Sequence, residues 1–348
     1  MNTSFKSLVI GSFGGLAFFL LDLPLAWMMG SMCLTTVFAV RGAKLSVNPT
    51  LRKAMTAVLG VMLGSSFSPE TLGNLMQWTN GLLLLLLNIV VSMALAYIFF
   101  RKIGKFDRIT AYFSAAPGGF NVMYEVGEAK GGDGRSIALI HAARVLILVM
   151  TVPLVYRYGV SIQSTVETVT LFGEWEELGG YGWLALAAVS GYWLGYKLKF
   201  PAHHLMGPLL VAAVFELTGI TDVKPPMVIV YAAQLVIGTS IGLRFLGTSL
   251  KEINKIILLS CGSTGLMIAI ATGFSLLASD YVGISIPGLV LALSPGGLAE
   301  MSLVALALGI DVAFVSIMHV IRIAIIIAFV PMIYPAFDRF WVKRKRAT

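Results

Sequence analysis

The chain has 348 residues, of which 57% are hydrophobic and 12% charged, with a mean hydropathy of +0.88. Soluble domains carry about 25% charged residues, so this composition excludes a soluble globular protein and a disordered one. The formal charge of +8 reads as an orientation signal in a membrane protein, since Lys and Arg collect on the cytoplasmic side; no nucleic-acid partner is expected, and the lipid bilayer is.

The N-terminus carries Lys6 and a short apolar run without a small-residue cleavage signal, so it reads as a retained first helix. Six apolar segments follow in chain order, at roughly 7–21, 24–40, 53–68, 79–100, 109–129 and 134–157. Six more lie at roughly 181–198, 201–219, 226–246, 256–279, 284–309 and 312–336. Runs such as Gly81 to Phe100 and Ile256 to Ala278 reach the ~20 residues that cross a ~30 Å hydrocarbon core. Between the two sets lies a polar stretch with Glu167, Glu174, Glu176 and Glu177. Cys33 and Cys261 both sit in apolar runs, which excludes a disulfide framework and a cysteine-based metal cluster.

The two sets are copies of one unit. At an offset of 178 residues Pro117, Gly118 and Gly119 fall on Pro295, Gly296 and Gly297. Met123, Ala129, Gly131, Asp133, His141, Arg144, Pro153 and Tyr156 fall on Met301, Ala307, Gly309, Asp311, His319, Arg322, Pro331 and Tyr334. Upstream, Gly60, Gly64 and Phe67 match Gly238, Gly242 and Phe245, and at an offset of 177 Pro24 and Gly30 match Pro201 and Gly207. The expected organisation is a membrane repeat over 1–158, a polar linker over 159–180, a second repeat over 181–340 and a basic tail over 341–348.

The fifth segment of each copy holds Pro-Gly-Gly in its middle, where proline removes a hydrogen bond and glycine is a poor helix former. If that segment turns back as a re-entrant hairpin, each copy crosses five times and the second copy is inverted. With the N-terminus inside, every Lys and Arg then lies on the cytoplasmic side except Arg157 and Lys224 outside and Arg144 and Arg322 within the membrane. Positive-inside asymmetry favours this arrangement over full crossing. The expected fold is therefore an all-α polytopic membrane protein of two inverted-topology repeats, each of about five transmembrane helices plus a broken hairpin, with both termini cytoplasmic.

Non-helical backbone at membrane depth is tolerated inside protein or beside a water-filled cavity. Two breaks entering from opposite faces meet near the midplane, the arrangement of secondary transporters, and the half-helix after each Gly-Gly pair points a positive end there. Arg144 and Arg322 lie near the centres of their segments, where a charge costs roughly 2.5–3.5 kcal/mol. Each reads as a substrate ligand, since guanidinium grips a carboxylate with two hydrogen bonds, or as a staple on the carbonyls freed by the break. His141 and His319, three residues earlier, share the arginine's helix face and read as donors, proton carriers or packing residues. Asp133 and Asp311 read as N-caps. Glu300 breaks the symmetry: it follows Gly297 by three positions, while the first copy has only Asn121 near that place. It reads as an ion-coupling or gating carboxylate for H⁺ or Na⁺.

The A-P-G-G and S-P-G-G motifs with their D-x7-H-x2-R followers resemble the AbrB-type integral membrane family of bacteria, over about residues 8 to 338. That family is built from an internal duplication, and the label of an ammonia monooxygenase is often attached to it. The resemblance implies a bacterial inner-membrane location and, through the family's regulatory label, an influence on gene expression. A monooxygenase needs several His or carboxylate ligands in one shell, and neither H-E-x-x-H nor a nucleophile motif is present, so no enzymatic activity and no cofactor are expected. The expected function is a secondary transporter of a small organic anion, its site formed by Pro117, Gly118, Gly119, Asn121, His141, Arg144, Pro295, Gly296, Gly297, His319 and Arg322 with Glu300 as the coupling group. The alternative is a membrane sensor that binds the same ligand and moves nothing. A homo-oligomer is compatible with either.

Overall fold

The computed structural model describes residues 3–68, 73, 75–159 and 177–346, and every regular element among them is a helix. The first half contains α1 (Thr3–Leu20), α2 (Ala26–Val40), α3 (Pro49–Gly64), α4 (Leu75–Lys102), α5 (Arg108–Ala115), α6 (Phe120–Ala129) and α7 (Gly134–Leu154). The second contains α8 (Leu178–Lys197), α9 (His203–Leu217), α10 (Met227–Gly242), α11 (Leu250–Val282), α12 (Ile286–Leu293), α13 (Leu298–Ala307) and α14 (Val312–Arg346). A 3₁₀ turn, Leu243–Phe245, extends α10. Glu167, Glu174 and Glu176 of the expected linker lie outside the described residues, and of the basic tail only the backbone to Arg346 is described.

Helix boundaries follow local chemistry. Asp133 accepts a hydrogen bond from the Ser136 amide at the start of α7, and Asp311 accepts one from the Phe314 amide at the start of α14, the capping role expected of both. Asn48, Asp107, Ser249 and Ser285 cap α3, α5, α11 and α12 in the same way. Among the described residues six helices are long and apolar enough to cross a membrane, fewer than the ten crossings the segment pattern predicts. The shortfall includes α2 and α9, which have 15 residues each because their chains turn through left-handed Leu25 and Ala202 before the helix begins. At 1.5 Å per residue they span about 22 Å. Leu83, Val90, Leu258 and Leu277 stay exposed along α4 and α11, as lipid-facing side chains of a polytopic membrane protein do.

The helices sort into two bundles. In one, α1 lies along α2, α2 along α10, α3 along α9 and α10, and α8 along α9. Glycines make these approaches close. A Cβ on Gly60 would stand 2.5 Å from the Leu205 carbonyl oxygen of α9, and one on Gly242 would stand 2.8 Å from that of Met32 in α2. Gly64 and Gly238 abut the Leu209 and Met28 carbonyls in the same manner. The two G-x-x-x-G pairs thus each seat a helix of one half of the chain on a helix of the other, the packing small residues permit in membranes. In the second bundle α4 packs on α11, α5, α6 and α11 on α7, and α12 and α13 on α14. The seam between bundles is thinner: α3 meets α13 and α14, while α2, α10 and the 3₁₀ turn meet α7.

Candidate functional site

Each fifth segment is two helices separated by a break, Ala116–Gly119 between α5 and α6 and Ser294–Gly297 between α12 and α13. Proline has no N–H, so the carbonyl four residues before it loses its helical partner. For Pro117 that carbonyl belongs to Phe113, and His141 Nε2 donates to it at 3.0 Å. Arg144 donates from Nη2 to the Ser114 carbonyl at 2.7 Å and from Nη1 to the Ala116 carbonyl at 2.6 Å. In the second copy Arg322 donates to the carbonyls of Ser294 and Gly296, the latter at 2.6 Å, and Asn88 Nδ2 donates to the Leu293 carbonyl at 3.0 Å. Both arginines make the stapling contact, and each retains an Nε–H without a partner. Arg144 is 1% and Arg322 0% exposed.

The two breaks lie side by side. A Cβ on Gly118 would stand 3.9 Å from Arg322 Nε and 3.4 Å from Ile326 Cδ1, so the first tip rests on the helix whose arginine holds the second break. The glycines serve different ends. Gly119 has φ +67, a left-handed conformation that costs a side chain about 1–2 kcal/mol. Gly297 is extended, and its missing Cβ leaves the space filled by the Glu300 carboxylate, which folds back beside it.

The matched histidines differ. His319 Nδ1 donates to the Val315 carbonyl of its own helix at 3.0 Å, and its buried Nε2 has no partner. Asn121 is exposed and Glu300 half-buried, whereas Pro117, Pro295 and Gly296 are buried. Among the described residues no three of His, Cys, Asp and Glu are grouped as a metal-binding set.

Arg244, in the 3₁₀ turn after α10, has no role in the motif reading, yet its guanidinium lies 4.5 Å from the centroid of the Phe120 ring at the start of α6. It is within electrostatic reach of Glu300, Arg52 and His141. The signal in the sequence is positional: Arg244 stands one residue before Phe245, which falls on Phe67 at the 178-residue offset, where the earlier residue is Ser66.

A cavity of about 880 Å³ opens between the bundles at the far end of α3 and α13. Met62, Ser66 and Gln234 line it from the first bundle, Leu303 and Asp311 from the second. The buried Gln234 has an Oε1 without a partner, and Trp27 stacks on Tyr231 at its rim, ring centroids 6.1 Å apart. Asp22, between α1 and α2, pairs with Arg157 beyond α7, so an ion pair spans the two bundles at the same mouth.

The chain is 27% identical over 350 residues to a Bacillus subtilis (strain 168) protein named "Uncharacterized protein YhjN", covering 94% of this chain and 91% of the relative. It is 26% identical over 333 residues to the Escherichia coli (strain K12) protein named "Putative regulator AbrB", covering 93% and 92%. Residues 27–338 match the family model described as "Transition state regulatory protein AbrB". With the match running through both broken segments and nearly the whole chain, this protein belongs to the AbrB family.

Proposed function

We propose that this protein is a secondary active transporter of a small organic anion, working by alternating access. The observation that carries the proposal is the pair of broken segments that lie against each other with their freed carbonyls held by buried arginines. Irregular backbone at membrane depth is tolerated inside protein or beside a water-filled cavity, and paired breaks in inverted repeats are where secondary transporters bind. The repeats are inverted in this reading, with both termini cytoplasmic in a bacterial inner membrane. The backbone N–H groups that open α6 and α13 and the unpaired Nε–H of Arg144 and Arg322 are the donors an anion would meet, with the acceptor Nε2 of His319 beside them. Pro117, Gly118, Gly119, Asn121, Pro295, Gly296 and Gly297 shape its surroundings, His141 steadies the first break, and Glu300 takes up H⁺ or Na⁺. The thin seam between bundles supports relative movement, and the 880 Å³ cavity supports an approach from the outer face.

The test is flux of radiolabelled small carboxylates into proteoliposomes under imposed proton and sodium gradients. Saturable, gradient-dependent uptake is the expected result. The name of the Escherichia coli relative favours a second reading, a sensor that binds the anion without moving it. Binding of a carboxylate with no uptake under any gradient would replace the transport reading with that one.

A further inference from the structure

An anion needs donors that the fold has not already engaged. Arg144 and Arg322 each commit Nη1 and Nη2 to backbone carbonyls, which leaves neither a free fork. Arg244 is different. It is half-buried, and among the described residues its side chain takes part in no hydrogen bond and neither of the two ion pairs, Arg135–Glu252 and Arg157–Asp22. Its guanidinium lies over the face of Phe120. A guanidinium stacked on a ring keeps its donors in the plane, where they match the two oxygens of a carboxylate. Phe120 opens α6, whose first-turn amides have no acceptor within their helix. Arg52 adds a second positive charge within reach, donating to Ser240 at 3.4 Å.

The Glu300 carboxylate, folded back over Gly297 at the first turn of α13, is within electrostatic reach of Arg244, with no ion pair closed between them. Arg244 and Glu300 are both departures from the repeat, standing where the other copy has Ser66 and Val122. We propose that Arg244, stacked on Phe120, is the residue that grips the substrate's carboxylate, and that Glu300 is the internal anion that occupies its field when substrate is absent. This rests on the anionic-substrate reading above and names the residue that reads the anion. A carboxylate entering the site displaces the Glu300 side chain from the field of Arg244, and Glu300 then takes up the proton or cation.

The experiment is isothermal titration of the full-length protein in detergent with succinate, lactate and inorganic phosphate as probes. Wild type binds at least one carboxylate. Glu300→Gln, which removes the competing charge, binds it about tenfold tighter, and Arg244→Ala loses at least tenfold, each tenfold being about 1.4 kcal/mol. Arg244→Lys, with a charge but no fork, falls between. Binding by Arg244→Ala within twofold of wild type, weaker binding by Glu300→Gln, or no binding of any probe by wild type would overturn the proposal. Should Arg244→Ala fail to fold, Glu300→Gln and Arg244→Lys decide alone. Binding that follows Arg244 without flux defeats the transport reading and leaves this one standing. Flux that ignores Arg244 and Glu300 does the reverse.

Discussion

Replacing Arg144 or Arg322 by methionine keeps the length of the side chain and removes its donors. At Arg144 the loss is two short charged hydrogen bonds, 2.6 and 2.7 Å, to carbonyls that the break at Pro117 has already deprived of helical partners. A buried carbonyl left without a donor costs about 1–3 kcal/mol, so each variant loses about 2–6 kcal/mol. A folded protein has about 5–15 kcal/mol in all. The buried positive charge would in principle repel folding less once removed, but that gain is small here. The charge also costs roughly 2.5–3.5 kcal/mol in an inserted, unpacked helix, so removing it stabilises that reference state as well. At about 2–4 °C per kcal/mol for a large domain, thermal unfolding in detergent should fall by roughly 4 °C at the least. Arg144→Lys, with one charged donor, should recover part of the loss. Arg244→Ala should lower the melting temperature far less, because only a cation–π contact worth about 0.5–2 kcal/mol is removed. If both methionine variants melt within about 1 °C of wild type, the arginines are not what holds the breaks, and the assignment of Arg244 as the free fork loses its contrast.

Two further outcomes follow from the packing and from the seam. Gly60→Ala and Gly238→Ala each put a methyl group against a backbone carbonyl that cannot rotate away, so each should destabilise by about 1–3 kcal/mol as overpacking does. The result that counts against close helix packing there is an unchanged melting curve for both. In a background with Cys33 and Cys261 changed to serine, Ser66→Cys in the large cavity should react with an impermeant maleimide added outside cells. Lys130→Cys, beside Asp107 and Tyr334 at a separate pocket of about 580 Å³, should react only after permeabilisation. Labelling of both from one side would end the inverted-repeat arrangement.

The helices and their breaks were legible from the chain, and the partners were not. Apolar run length and Pro-Gly-Gly located most segments to within a few residues, because membrane helices are specified by local composition; α11 begins six residues before the expected segment and α14 runs ten residues beyond it, both through charged turns that carry no apolar signal. The caps at Asp133 and Asp311 were equally local. The acceptors of Arg144 lie 28 and 30 residues away, so sequence left its two roles open, and the hydrogen bonds describe a staple. The sorting of helices into two bundles depends on contacts such as Gly60 against Leu205, which no periodicity encodes, although the glycine identities across the repeat marked the faces involved. Arg244 escaped notice because it ends an apolar run on the side where basic residues are ordinary.

The residue identities at the 178-residue offset offer a way to separate architecture from chemistry. Each kind of matched residue around the breaks has a backbone duty: the prolines interrupt the helix, the glycines make the turn or the space, the aspartates cap, and the arginines hold the carbonyls. Even the matched histidines keep one nitrogen on a main-chain oxygen. Such duties recur, in differing detail, because both halves must solve the same problem of irregular backbone in an apolar medium. A single small solute between the halves imposes no such duplication, since it lacks their symmetry and meets each half with different atoms. Polar residues that serve it should therefore be the unmatched ones. In this chain those near the breaks include the neutral hydroxyls of Ser114 and Ser294, the latter donating to the Val290 carbonyl, and Asn88, Asn121, Arg244 and Glu300. Asn88 is engaged by the Leu293 carbonyl and Asn121 is exposed, which leaves the opposed charges of Arg244 and Glu300 as the pair whose removal should change recognition while leaving the scaffold intact.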